Sequence, residues 1–478
     1  MDLRGVVLWA LGVSGCVAGW SVATPAARVL RVDAAALPGG DGAPGRPFRT
    51  LLEAVEAAGE GEAELQVASG DYPGAVQLRP GLRVVGRGAV LVHAEDGCVM
   101  SASGGRLENV MVQGGEVGLC AAGEVHLRGV TLSGQRRMAL RVSPGGALEA
   151  EGLRVEAVIP DTTGLELQQG ARARLSGARF DGPFEKAVSS HNADLVVADA
   201  AFHDARTAVH LVGGKGLLRA VYAGGGRGPA VYVGQAQAEV VGLRTAGHEY
   251  GLLVGPGSRV KMRGLDSRGA ERAGVGMEGA EGDLEDVSVL NAGNLGALQL
   301  TDSRVQVTRA EVKGPTYAGI QVLGGEAVLR AVRIRHVVRE SAGDGDGMVV
   351  HRARVMLEDV SVEGAEGGAL VVGSGAQVEA GSLEARFVQN GAVFAGGKST
   401  VRVRSLKASG VGEVVLAAVE GARVQLQGLE AEDVAAVGWA ECGSASRLCV
   451  GTVRGTAAAT SPEACVQLGS EEHPAACR

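Results

Sequence analysis

Leu127-Arg128-Gly129-Val130-Thr131-Leu132, Leu284-Glu285-Asp286-Val287-Ser288-Val289, Leu357-Glu358-Asp359-Val360-Ser361-Val362 and Leu426-Gln427-Gly428-Leu429-Glu430-Ala431 are copies of one short pattern. One apolar column runs through it: Val110, Val130, Leu153, Ala178, Ala200, Val221, Leu243, Leu265, Val287, Ala310, Val332, Val360, Leu383, Leu406 and Leu429. The steps are 20–28 residues, most of them 22 or 23. Periods of this size mark solenoids. Apolar residues alternate within runs of three to five, which is strand spacing. Gly and Asn punctuate each copy, as tight turns with φ > 0 require. Leucine-rich repeats would need a fixed Leu/Asn consensus, and propeller blades need about 40 residues of antiparallel hairpin. A parallel β-helix remains, with one repeat per coil. About 15–16 coils stacked about 4.8 Å apart give a rod on the order of 75 Å long. Crossovers between parallel strands favour right-handed winding.

Outward from the repeats, the chain starts with a short charged stretch, an apolar run from Gly5 to Val13, then Ser14-Gly15-Cys16. The run is too short to span a bilayer. It reads as a signal peptide over residues 1–15, with Cys16 as the lipidated residue of a lipobox. An ordinary cut near Ala26 is the other reading. The remaining six cysteines suit an oxidising compartment. Cys98 and Cys120 sit one repeat apart; Cys442 with Cys449 and Cys465 with Cys477 form two close pairs. Their spacings lack a zinc knuckle. Residues 16–40 read as a linker, 41–88 as an N-terminal cap with a helix over about 48–58, 89–443 as one β-helix domain, and 444–478 as a Cys-containing cap or tail. In the helix, residues 51, 52, 55 and 58 make the apolar face.

Asp41-Gly42-Ala43-Pro44-Gly45-Arg46-Pro47-Phe48-Arg49-Thr50, with Ala54, Ala57, Ala58, Val67, Asp71-Tyr72, Gly81 and Val84-Val85-Gly86-Arg87-Gly88, resembles the opening of pectin-lyase-like right-handed β-helices. In that family a helix plugs the first coil, and an open coil is a strand edge that needs cover. The resemblance implies a fold and leaves activity open. Polygalacturonase-like members carry Asn-Thr-Asp, Asp-Asp, Gly-His-Gly and Arg-x-Lys. Here Arg259-Val260-Lys261 alone matches, and Gly247-His248-Glu249 breaks the third motif.

A net charge of −8 without a basic block argues against nucleic acid. Aromatic content is 3% and glycine numbers 77, so small aliphatic side chains must fill a narrow interior. Gly396-Gly397-Lys398-Ser399-Thr400 imitates a phosphate loop but precedes a strand. Counting from the apolar column groups Asp181, His203, Asp204, Arg206, Arg227, His248 and Glu249 along one edge. As a catalytic set they would work an acidic polysaccharide, with Asp181 or Asp204 as acid/base and His203 beside it. Arg206 and Arg227 would hold sugar carboxylates. As structure they are stacked charges on a solenoid edge. Phe184, Tyr222 and Tyr250 are the aromatics near that edge. The longest step carries Arg339–Gly347, where Asp344 and Asp346 could share a calcium ion; otherwise no cofactor is expected.

The expectation is an exported protein of a bacterial cell envelope, lipid-anchored and monomeric. It acts as a non-catalytic scaffold or binding surface for polysaccharide or envelope proteins. The alternatives are a carbohydrate-active lyase, hydrolase or epimerase, and an adhesin that displays the 339–347 loop.

Overall fold

The structure, a computed structural model, describes residues 28–339, 345–441, 445–457 and 466–468. It is an all-β parallel solenoid of about 18 turns, with one short helix among the described residues. Every strand-to-strand pairing in the ladder is parallel. From Ala200 to Leu429 the aligned column forms one line of Cα partners, rung after rung. All fifteen of its members are buried.

One turn shows the plan. Tyr250–Val254 runs to a corner at Gly257 (φ 71°), and Arg259–Arg268 kinks at Gly264 (φ 76°) and ends at Gly269 (φ 59°). Three left-handed positions per turn therefore separate three runs of strand. In other turns the same positions hold Asp, Asn and even Gln235 or Arg309 at φ near 50°. A residue with a Cβ is strained there by roughly 1–2 kcal/mol, which is the reason glycine is so common in this chain. The interior is a filament of Leu, Val and Ala. It widens once, where Phe180 and Phe202, Cα partners on successive rungs, stack at 5.1 Å with Phe184 edge-on to Phe180 at 6.1 Å.

The solenoid is longer than the repeat signature. Arg28–Val32, in the stretch expected as a linker, is a strand paired with Ala63–Pro73, which in turn pairs with Leu82–Ala94. The helix is spliced into that first step. It spans Leu51–Ala58, three residues shorter at its start than expected, because Thr50 is extended and caps it reciprocally with Glu53. Its buried face is Leu51, Ala54 and Ala58, against three strands, while Leu52 is exposed. At the other end Arg447–Ala457 and Val466–Leu468 continue the ladder beyond residue 443. Cys98 and Cys120 form the expected disulfide between adjacent rungs. Residues 1–27, with the signal peptide and Cys16, lie outside the described residues. So do Cys442, Cys465 and Cys477, and with them the two expected pairs, Cys442 with Cys449 and Cys465 with Cys477.

Candidate functional site

The residues grouped along the edge by counting do share a flank of the rod, but all of them except Arg227 have a local partner or a structural task. Asp181 and His203 are Cα partners on successive rungs. The Asp181 carboxylate accepts from Arg179 Nε at 2.5 Å, and the His203 ring faces Tyr222 at 5.4 Å. Asp204 occupies a left-handed corner (φ 61°), stacked on Gly225, Gly247 and Gly269 in the following turns. Asp is there because its short side chain tolerates that geometry. Arg206 pairs with Glu185 at 3.1 Å and Glu249 with Arg272 at 2.9 Å; the Arg272 guanidinium lies 5.3 Å over the Tyr250 ring. Arg227 is exposed. His248 is buried: Nδ1 lies 3.1 Å from the Gly228 carbonyl, Nε2 meets no partner, and burial lowers the ring's pKa. Phe184 is in the core and Tyr250 is nearly covered, so among the three edge aromatics Tyr222 is the exposed one.

The acid pair of the longest step also divides. Asp344 lies outside the described residues. Asp346 belongs to the strand Asp346–His351, is buried, and accepts the Gly368 amide at 2.7 Å. No group of three or more His, Cys, Asp or Glu side chains is arranged to hold a metal among the described residues.

A different face collects the chemistry. On one run of strand per turn, the central outward column reads Arg141, Glu166, Ser189, His210, Tyr232, Leu253 and, further on, Val349, Val371, Phe394, Ala417 and Trp439, each the Cα partner of the next within the two blocks. In its first block His210 stacks on Tyr232 at 4.9 Å, and His191 lies 5.9 Å from His210 and 3.0 Å from the Ser189 hydroxyl. Burial, then the nearby Lys186 and His191, push the His210 pKa down to about 4. Tyr232 lies flat over Gly234, where a Cβ would stand 2.8 Å from its hydroxyl.

The second block makes a groove of about 650 Å³. Phe394 and Trp439 stand exposed on either side of Ala417, which is 3% exposed although it points outward. Asp346, Asn390, Glu413, Val371 and Val414 line the rest. Its size falls within the range of small-ligand sites. The counting that built the edge ladder missed it. Phe394 was legible, since Val393 and Ala395 alternate around it as buried neighbours in a strand, which turns Phe394 outward. Trp439 gave no such signal, standing where the repeat pattern fades.

No family model matches the chain, and no curated protein matches it either. Solved structures do. A lacto-N-biosidase of family GH136 from Eubacterium ramulus superposes with a TM-score of 0.26 at 10% identity, over 69% of this chain and 67% of that one. The catalytic domain of a GH87 α-1,3-glucanase gives a TM-score of 0.31 at 9% identity, over 62% and 60%. The A-module of a mannuronan C-5 epimerase from Azotobacter vinelandii gives 0.25 at 13%, over 86% and 93%. Superpositions this loose carry no argument about site or activity. The parallel β-solenoid stands on the strand pairings themselves and is consistent with the pectin-lyase-like opening at residues 41–88.

Proposed function

We propose that this chain is a non-catalytic binding scaffold whose ligand, a saccharide chain, lies in the groove between Phe394 and Trp439. One observation carries the reading. The charged edge spends most of its side chains on ion pairs within or between rungs and on corners, whereas the groove offers two aromatic rings, Phe394 and Trp439, that are 41% and 43% exposed. Aromatic faces of this kind suit the C–H faces of a sugar ring. We take the winding as right-handed, the helix Leu51–Ala58 as the plug of the first coil, and the Cys-containing tail as the closure of the last. Export to a bacterial envelope with lipid on Cys16 belongs to the same proposal.

A panel of neutral, acidic and amino polysaccharides, with and without calcium, tests it. Saturable binding without turnover, lost in Phe394→Ala/Trp439→Ala, is the expected result. Turnover abolished by Asp204→Ala or by His203→Ala would overturn it in favour of a carbohydrate-active enzyme. Labelling with a palmitate analogue tests the anchor: label unchanged by Cys16→Ser removes that part.

A further inference from the structure

The groove's charge is one-sided. Glu413 is exposed on its wall and has no ion-pair partner among the described residues. No basic side chain is among the described lining residues. A uronic acid would meet the Glu413 carboxylate, with no described lining residue to pair its own. A ligand bearing positive charge gains from Glu413 and from the aromatic faces.

Shape narrows the class. Phe394 and Trp439 are two rungs apart, about 9.6 Å at the usual strand spacing, with Ala417 between them. A chain of two or more sugar rings is long enough to lie across both. A peptide has no open sheet edge to join, because Leu370–Gly373, Gly391–Ala395 and Val414–Ala418 are each paired on both sides. Resting on the groove reading above, we infer that the ligand is an oligomer of a 2-amino sugar with free amines. Its rings stack on Phe394 and Trp439 and an ammonium group faces Glu413.

The test uses the full chain and titrates three probes by calorimetry and by Trp439 fluorescence: a glucosamine tetramer, its fully N-acetylated counterpart, and a galacturonic acid tetramer. The amine tetramer should bind with saturation, roughly tenfold or more tighter than the acetylated one, as expected for a charge-assisted contact. Glu413→Gln should remove most of that preference while leaving thermal unfolding unchanged, and raising the pH until the amines are neutral should do the same in the unaltered protein. Equal binding of the amine and acetylated tetramers, or tighter binding of the uronate, overturns this inference and leaves the groove reading intact. Binding by none of the three overturns both.

Discussion

His210 shows how a single side chain on this rod acquires a distinct chemistry from its stack. Burial first, then the nearby Lys186 and His191, lower its pKa from the ordinary 6.5 to about 4, while the ring stacks on Tyr232. Between those values the unfolded chain binds more protons than the folded one, so stability must rise with pH across that window. The contribution is fully present above pH 6.5 and is lost as the pH falls towards 4. Denaturant unfolding followed from pH 7 to pH 4 should show a falling midpoint, and His210→Gln should flatten that slope. Asp204 makes the complementary point. Its chain geometry is left-handed, which a β-branched residue resists. Asp204→Val should cost about 2 kcal/mol, and Asp204→Gly should cost little or nothing, by thermal unfolding. An aspartate placed for a corner and one placed for acid/base work look alike in a sequence. That is why Asp204 could be grouped with His203 as a catalytic candidate before the turns were seen. Asp346 was obscured in a different way: its neighbours Gly345 and Gly347 suggested a solvated loop, yet the residue starts a strand and bonds a backbone amide of the next rung.

Among the elements, the rungs were legible and their ends were not. Val287-x-Val289 alternation and its repetition one period later are direct images of a stacked, inward-facing column, so the fifteen aligned positions are buried. The first strand, Arg28–Val32, escaped because the helix Leu51–Ala58 stretches the step from Arg28 to its partner Ala63 to 35 residues, which hides the period. The groove escaped because periodicity locates inward columns well, while the outward columns carry no rule about which residue must stand there. The disulfide between Cys98 and Cys120 ties two early rungs across 22 residues of sequence. Closing a loop of that length is worth about 3 kcal/mol in the chain-entropy account. Replacing both cysteines by serine should therefore lower the urea midpoint of these rungs. Hydrogen exchange should place the loss at residues 98–128 and leave the groove strands protected.

The whole molecule is a stack in which each turn touches only the turn before and after it. Successive turns through its middle keep a step of 22 residues, with Gln237 over Arg259, Val240 over Met262 and Leu243 over Leu265. Excising residues 237–258 joins Ala236 to Arg259 at equivalent places in the corner. The shortened chain should keep its β-sheet circular dichroism and its tetramer affinity, with unfolding free energy reduced by about one turn's share. Loss of folded signal would show that coupling along the rod reaches further than its neighbours.

The spacing between the two ends of this protein is consequently a heritable length. Gain or loss of one repeat during gene duplication would slide the groove nearer to, or further from, the first rung at Arg28–Val32, in increments of about 4.8 Å. Reach can then evolve like the marks on a ruler, while the lining of the groove stays chemically the same.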